Sequence, residues 1–234
     1  MTGESPLRLT VFDLDGTLVD SQHTIISSMR AGFESEGLMP PEPAVVRSVI
    51  GMSLDAAIER INSGVRGLQA QRVAEGFKHH AHAAQGHGDN ERLEPLMPGA
   101  RGALDRLESA GVLLAIATGK GRAGLISVLE AHGLLSRFVS LQSADDAPGK
   151  PNPTMLRQAI AEAGAEARDS VMIGDTVFDL QMAHNAGVKG IAVTWGYHEV
   201  EQLRSSRPYA VIDHFKELDG VIENMSGQTM EQSS

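Results

Sequence analysis

The stretch Val11-Phe12-Asp13-Leu14-Asp15-Gly16-Thr17-Leu18-Val19-Asp20 decides the fold of this chain. The apolar residues around its start form a run too short for a helix, so the sequence predicts a buried strand that includes Leu7, Leu9, Val11 and Phe12. Gly16 permits a sharp turn after the strand, although an Asp-Gly pair by itself is also typical of an ordinary turn. Asp13 and Asp15 point to the same side, because side chains alternate along a strand. Two adjacent carboxylates at the end of an apolar strand cost stability unless a cation or a substrate compensates.

The composition of the 234-residue chain indicates one large domain, or a domain with an insertion, and its 41% hydrophobic residues can form a core. The absence of cysteine excludes disulfides, thiol chemistry and cysteine-ligated metals. Residues 1–6 lack the features of a signal peptide, and no apolar run approaches membrane-spanning length, so we expect a cytoplasmic protein with no membrane partner. The net charge of −10, without a cluster of Lys and Arg, argues against a nucleic-acid partner but not against a small anionic substrate.

The segment after the first strand has no strand-like run, and the sequence predicts an all-helical block over residues 21–92. The predicted helices cover residues 22–36, 43–50, a segment that begins after Ser53, and about 67–84. Two prolines and a glycine then make residues 93–99 typical of a linker.

From residue 100 the pattern alternates between helices and strands, which predicts a parallel sheet covered on both faces. The predicted strands are 112–117, 138–139, 170–173 and 190–193, and the predicted helices are 100–109, 122–132, 153–163 and 178–186. The first strand belongs to the same sheet, since a lone strand cannot bury its faces. We therefore expect an α/β core from residues 1–20 and 93–225, with residues 226–234 as a frayed polar tail.

Three further polar segments lie at predicted strand ends or helix starts, where open α/β sheets bind their ligands. Residues 117–120 combine a hydroxyl and a glycine N–H just before a helix start at Gly121, which suits an anion, although taken alone the segment is more typical of a helix cap. Lys150 lies in a loop stiffened by prolines, although most lysines in turns are simply solvated. Asp175 and Asp179 are one helical turn apart and can face one point, although acids are common at helix N-termini.

These segments resemble, in the same order, the four motifs of the haloacid-dehalogenase-like hydrolases. The matching residues are Asp13-Leu14-Asp15-Gly16-Thr17, Thr118, Lys150-Pro151-Asn152-Pro153 and Gly174-Asp175-Thr176-Val177-Phe178-Asp179. The resemblance covers nearly the whole chain and implies an α/β fold, with a Rossmann-like parallel sheet and an all-α cap inserted after the first motif. Val19-Asp20-Ser21 and the cap pattern are most similar to phosphoglycolate phosphatases and their near relatives.

The resemblance also implies roles for the site residues. Asp13 would be the nucleophile that forms an aspartyl-phosphate, and Asp15 would be the acid/base. Thr118, Lys150 and the backbone N–H groups around Leu14 and Gly119 would hold the phosphoryl oxygens. The implied cofactor is Mg²⁺, which suits an oxygen-rich site. Its implied ligands are the side chains of Asp13 and Asp175 and the backbone carbonyl of Asp15, while Asp179 acts through water or orients Lys150.

The substrate remains open, because substrate choice is expected to lie in the cap. Arg47 is a candidate for binding a substrate carboxylate or a second phosphate, although such an arginine is more often solvated. The cap histidines His79, His80, His82 and His87 lack the acids of a zinc site, which favours a polar surface. Oligomeric state is not readable from the sequence.

Several reactions remain compatible with these motifs. Asp15 favours phosphoryl transfer, since the family's dehalogenases lack it, and Lys78 does not resemble the Schiff-base lysine of phosphonate-cleaving relatives. A phosphatase acting on a small phosphorylated metabolite is the main expectation, with phosphoglycolate the best single substrate. A sugar phosphomutase and a pyrophosphatase remain alternatives, as does a phosphorylatable switch or binding module without turnover.

Overall fold

A computed structural model of the chain describes residues 9–84 and 93–231, with side chains described for 9–83 and 93–225. The predictions that concern Leu7, His87 and the first eight residues lie outside the described residues, as does the predicted tail beyond Glu231. Among the helices of the described ranges, none has both the length and the apolar character needed to cross a lipid bilayer.

A six-stranded parallel sheet forms the centre of the fold, with strand order β3-β2-β1-β4-β5-β6. The strands are β1 (Leu9–Phe12), β2 (Leu113–Ala117), β3 (Ser140–Gln142), β4 (Ser170–Gly174), β5 (Lys189–Val193) and β6 (Ala210–Ile212). In the register of the sheet, Phe12 lies beside Ile116 on one side and Ile173 on the other. The carboxyl ends of these three strands therefore meet at one edge, and the predicted α/β fold class is confirmed.

Helices cover both faces of the sheet, as the alternating sequence pattern predicts. They are α5 (Ala100–Ser109), α6 (Arg122–Ala131), α7 (Thr154–Glu162), α8 (Val177–Ala186), α9 (Val200–Ser205) and α10 (Leu218–Glu231). The apolar side chains of β1 divide between the two faces, since Leu9 and Val11 pack with Met155 of α7 and Phe12 packs with Leu104 of α5. Burial on both sides explains why the strand is almost wholly apolar.

The predicted helical block contains α1 (Gln22–Ser35), α2 (Pro43–Arg47), α3 (Leu54–Ile61) and α4 (Leu68–Ala84). These helices share an apolar cluster of their own, which includes Phe33, Ile58 and Val73. A Cβ at Gly32 of α1 would lie 2.5 Å from the Val73 carbonyl oxygen, so a glycine is needed where α1 crosses α4. We call these four helices the cap; its treatment as a separate domain with boundaries at residues 21 and 92 stays a prediction.

The two chain segments that join the cap to the sheet pair with each other. Asp20 N–H donates to the Pro95 carbonyl at 2.9 Å, and Met97 N–H donates to the Leu18 carbonyl at 2.8 Å. The segment predicted to be a linker is therefore fixed against the first motif by backbone hydrogen bonds.

Several predicted boundaries are wrong. The edge strand β3 begins at Ser140 and not at Phe138, because its buried residues are polar: Ser140 Oγ donates to Glu162 Oε2 at 2.6 Å, and Gln142 Nε2 donates to Ser140 Oγ at 3.0 Å. The helix predicted over 43–50 ends at Arg47 and continues as turns. The elements α9, β6 and α10 were not predicted, and α10 extends to Glu231 through most of the predicted polar tail.

Candidate active site

The first motif forms a tight loop directly after β1. Asp13 N–H continues the ladder to β4 by donating to the Ile173 carbonyl at 2.9 Å, and the Asp13 side chain is 1% exposed. Leu14 N–H donates to Asp13 Oδ1 at 2.7 Å. Gly16 has φ +86°, a conformation that favours glycine, and its N–H donates to the Val19 carbonyl at 2.8 Å. The loop thus holds the Asp13 carboxylate at the edge of the sheet.

Asp175 follows β4 and enters the same space. Its Oδ1 accepts from Thr17 Oγ1 at 2.8 Å, and its Oδ2 accepts from Tyr197 N–H at 2.9 Å. Two glycines leave room for this carboxylate: a Cβ at Gly16 would lie 2.3 Å from Asp175 Oδ2, and one at Gly196 would lie 2.1 Å from Asp175 Cβ. The loop after β1 and the loop after β5 therefore both contact Asp175, which itself follows β4.

Asp179 lies in the first turn of α8 and is fully buried. Its Oδ2 accepts from Thr176 N–H at 3.1 Å and from Thr176 Oγ1 at 2.6 Å, and its Oδ1 accepts from Lys150 Nζ at 2.6 Å. The Lys150 side chain is also fully buried, and its Nζ lies 2.7 Å from Asp13 Oδ1. Lys150 therefore bridges the first and the fourth motif.

Asp13, Asp175 and Asp179 can together hold a metal ion, because one carboxylate oxygen of each lies within 4.8 Å of the other two. Asp13 Oδ2 is buried and has no hydrogen-bond partner among the described residues. Such an oxygen is costly to bury unless a cation or substrate binds it. Asp13 and Asp175 are the two side-chain ligands that the resemblance implies, whereas Asp179 already accepts hydrogen bonds from Lys150 and Thr176, and the ligand set stays a prediction.

Burial and mutual repulsion perturb the charges of this group. Burial raises the pKa of Asp13 to about 7, with the nearby Asp179 and Asp15 adding to the effect and Lys150 opposing it. Burial, Asp13 and Asp179 also raise the pKa of Asp175 well above its usual range. Burial lowers the pKa of Lys150, but attraction to Asp13 and Asp179 outweighs it, so that this pKa is raised. The site thus carries an excess of negative charge that a cation would relieve.

Thr118 and Gly119 follow β2 at the same edge. Thr118 N–H donates to the Gln142 carbonyl at 3.0 Å, and Thr118 Oγ1 accepts from Lys120 N–H at 3.1 Å. Gly119 packs against the cap, since a Cβ there would lie 2.5 Å from the Met52 carbonyl oxygen. The second motif therefore lies at the same edge of the sheet as the carboxylates, with the cap packed against it.

A second buried ammonium group was not given a role by the sequence. Lys120 Nζ lies 3.0 Å from Asp15 Oδ1 and 3.9 Å from Glu94 Oε2. Burial lowers the pKa of Lys120, but attraction to Asp15 and Glu94 outweighs this and raises it. The position of Lys120 within the second motif could have indicated a role in the site. Glu94 lies in the predicted linker, where nothing in the sequence indicated such a role. Tyr197 was also missed, because nothing in the sequence relates it to Asp175.

The cap candidates contact other parts of the molecule. Arg47 is half-buried, and its Nη1 donates to Gln22 Oε1 at 3.3 Å. A substrate contact by Arg47 therefore stays a prediction. His80 Nδ1 lies 3.2 Å from Ser28 Oγ, which places this histidine between α4 and α1. Ser53, at the start of α3, packs near Gly149 beside the Lys150 loop.

Buried carboxylates that meet a lysine at the carboxyl ends of the central strands define an α/β enzyme with an acidic, cation-compatible site. The model of the haloacid dehalogenase-like hydrolase family matches residues 10–193, and the chain belongs to this family.

Known relatives support the same assignment. The chain is 34% identical over 228 residues to "Probable phosphatase IndB" of Dickeya dadantii, covering 91% of this chain and 92% of that protein. It is also 34% identical over 217 residues to a phosphoglycolate phosphatase of Mesorhizobium japonicum, covering 90% and 92%. A crystal structure of a hydrolase from Pseudomonas syringae shares the fold, with a TM-score of 0.82, 23% identity and coverage of 92% and 98%. The predicted family and the predicted enzyme class, a phosphatase, are confirmed.

Proposed function

We propose that the chain is a Mg²⁺-dependent phosphatase that hydrolyses a small phosphorylated metabolite through an aspartyl-phosphate on Asp13. The observation that carries the proposal is the Asp13 carboxylate itself. Its Oδ1 is fixed by Leu14 N–H and Lys150, whereas its Oδ2 is buried with no hydrogen-bond partner among the described residues. An oriented carboxylate with one free oxygen suits a nucleophile.

The residues around Asp13 fit Mg²⁺, which takes oxygen ligands and keeps waters and substrate phosphate oxygens in its coordination sphere. Asp13 and Asp175 would supply side-chain oxygens, and Asp15 would supply its backbone carbonyl. Asp179 serves to orient Lys150, because both of its oxygens already accept hydrogen bonds. When bound, the ion offsets the negative charge that would otherwise repel an anionic substrate.

The reaction proceeds in two steps. The free oxygen of Asp13 bonds to phosphorus as the bond to the leaving oxygen breaks, and Asp15 gives its proton to that oxygen. Water then attacks the phosphorus, Asp15 takes the proton from this water, and the Asp13 carboxylate is restored with release of inorganic phosphate. Thr118, Lys150 and the backbone N–H groups around Leu14 and Gly119 hold the phosphoryl oxygens.

The cap supplies the surroundings of the leaving group. Its loop carbonyls at Gly51 and Met52 lie against Gly119, which supports closure of the cap over the second motif and exclusion of water. Arg47 is proposed to reach a substrate carboxylate or second phosphate when the substrate binds.

Phosphoglycolate is the proposed substrate, and the relative from Mesorhizobium japonicum named phosphoglycolate phosphatase supports it. The proposal includes a cytoplasmic location and no nucleic-acid or membrane partner. A sugar phosphomutase or a pyrophosphatase would use the same core motifs, so the substrate test must include their substrates.

The test is phosphate release from phosphoglycolate, sugar phosphates, pyrophosphate and 4-nitrophenyl phosphate, with Mg²⁺ and with EDTA. We expect Mg²⁺-dependent release, fastest for phosphoglycolate, that Asp13→Asn abolishes. The matched control is Asp55→Asn, which changes an exposed aspartate of α3 and is expected to leave activity intact.

Other outcomes identify the alternatives. A stable phosphoadduct on Asp13 without release would contradict turnover and indicate a switch. Interconversion of sugar phosphates without net release would indicate a mutase. A strong preference for pyrophosphate over every ester would indicate a pyrophosphatase.

A further inference from the structure

Lys120 enters the site from the loop between β2 and α6 and pairs with Asp15, not with Asp13. Its Nζ lies 3.0 Å from Asp15 Oδ1, and its side chain is only 14% exposed. Lys150 instead pairs with Asp13 and Asp179. The two ammonium groups therefore serve different carboxylates: one the proposed nucleophile, the other the proposed acid/base.

The side chain of Lys120 is confined along its length. Its backbone N–H donates to Thr118 Oγ1 at 3.1 Å, and its carbonyl accepts from Ala144 N–H at 3.2 Å. A Cβ at Gly124 of α6 would lie 3.3 Å from both Cγ and Cδ of Lys120, so this glycine leaves room for the lysine stem. The ammonium group is thus directed at Asp15 by the fold.

Glu94 provides a second anchor for Lys120. Its Oε2 lies 3.9 Å from Lys120 Nζ, and its side chain is 4% exposed. Both of its carboxylate oxygens are buried without a hydrogen-bond partner in the part of the chain that the structure describes. Its main chain is fixed, because its carbonyl accepts from His132 Nε2 at 2.8 Å. Burying a carboxylate lowers stability unless a nearby charge compensates it. The compensating charge for Glu94 is the ammonium group of Lys120.

We propose that Lys120, anchored by Glu94, is a positioning residue that holds the Asp15 side chain beside the leaving oxygen, so that protonated Asp15 can donate its proton in the first step and the resulting carboxylate can accept a proton from water in the second. This inference rests on the proposed acid/base role of Asp15. A general acid must lie within hydrogen-bond reach of the atom that it protonates. Without Lys120, Asp15 loses the ion pair that orients its side chain, and Glu94 loses the ammonium group beside it. The enzyme then loses the ability to cleave esters whose leaving group needs a proton.

The experiment compares two aryl esters of similar shape, phenyl phosphate and 4-nitrophenyl phosphate. Phenoxide leaves poorly without a proton, whereas 4-nitrophenoxide needs little help. We measure kcat/KM, which reports the first phosphoryl transfer, for the wild type and Lys120→Met. General acid catalysis contributes about 10²–10⁴-fold, so we expect kcat/KM for phenyl phosphate to fall about 30-fold and that for 4-nitrophenyl phosphate to fall less than about 3-fold.

Two further variants keep the test independent of folding. Lys120→Arg retains the charge and should recover part of the activity on phenyl phosphate. Glu94→Gln should show the same selective loss to a smaller degree, because it removes only the second anchor. Lys78→Met, at an exposed lysine of α4, is the matched control and should leave both esters unaffected. Thermal unfolding of each variant reports the folded fraction.

Equal losses on the two esters in folded variants would overturn the positioning role, and so would full activity of Lys120→Met on phenyl phosphate. A wild type that releases no phosphate from either ester or from phosphoglycolate would instead overturn the proposed function itself. The two failures are therefore distinguished by the wild-type rates.

Discussion

Asp13→Asn is expected to stabilise the metal-free protein while it abolishes activity. Asp13 is buried among Asp15, Asp175 and Asp179, and these surroundings disfavour its charged form. Its pKa is raised from an ordinary value of about 3.9 to about 7. The amide has nearly the same shape and carries no charge, so it removes the unfavourable ionisation without creating a cavity.

The sign and size of this effect follow from linkage between protonation and folding. Because the pKa of Asp13 is higher in the folded state, the folded protein binds a proton more tightly, and stability falls as pH rises from about 4 to about 7. A shift of about three pKa units corresponds to about 4 kcal/mol at most. Asp13 shares its interactions with Lys150, so we expect a net gain of about 2 kcal/mol for the variant at pH 8 and close to none at pH 4.5.

Urea unfolding in EDTA at these two pH values measures the difference in the free energy of unfolding between variant and wild type. The same titration is then repeated with Mg²⁺. If Mg²⁺ binds as proposed, it stabilises the wild type by mass action and the variant loses this stabilisation, so the stability difference between variant and wild type should narrow or reverse. The control Asp55→Asn should change the free energy of unfolding by less than about 0.5 kcal/mol. A variant that is less stable than the wild type at pH 8 in EDTA, or a difference that does not depend on pH, would refute the reasoning.

Three other substitutions probe the space around the site. Gly196→Ala places a Cβ 2.1 Å from Asp175 Cβ, so we expect a loss of about 10–100-fold in metal affinity, measured by calorimetry; unchanged affinity would show that the loop yields. Gly119→Ala pushes on the Met52 carbonyl and should lower kcat/KM about tenfold, with little change in Tm, and equal kinetics would argue against cap contact during turnover. Arg106→Ala removes hydrogen bonds to Asp219 of α10 and to the Phe215 carbonyl just before α10, and should lower the free energy of unfolding in urea by about 1 kcal/mol without affecting kcat; a changed kcat would show that this contact influences the site.

The sequence predicted the strands that carry the motifs because those strands are apolar and buried on both faces. The strands over residues 170–173 and 190–193 could be predicted from this apolar pattern alone. The edge strand β3 lacks the pattern, since its two buried side chains are Ser140 and Gln142, which bond to polar partners contributed by other parts of the fold. A rule based on apolar runs therefore placed the strand two residues too early.

The site residues likewise fall into those that the sequence could identify and those that only the structure could identify. Asp13 and Asp175 could be identified because each follows a strand, and Lys150 because it lies in a proline-rich loop before α7, all within motifs of recognisable spacing. Lys120 and Glu94 could not be paired from the sequence, since their contact depends on how the cap connection returns along the first motif. The hydrogen bond from Tyr197 to Asp175 likewise depends on the loop after β5.

The sequence by itself determined the family, the parallel sheet and the carboxylates at its edge, because local periodicity and short motifs encode strands, turns and the residues that follow them. Only the tertiary structure decided which charges meet. It assigned Lys150 to Asp13 and Asp179 and Lys120 to Asp15 and Glu94. The physical reason is that ion pairing acts through distance and burial, and both are set by the packing of segments far apart in the chain.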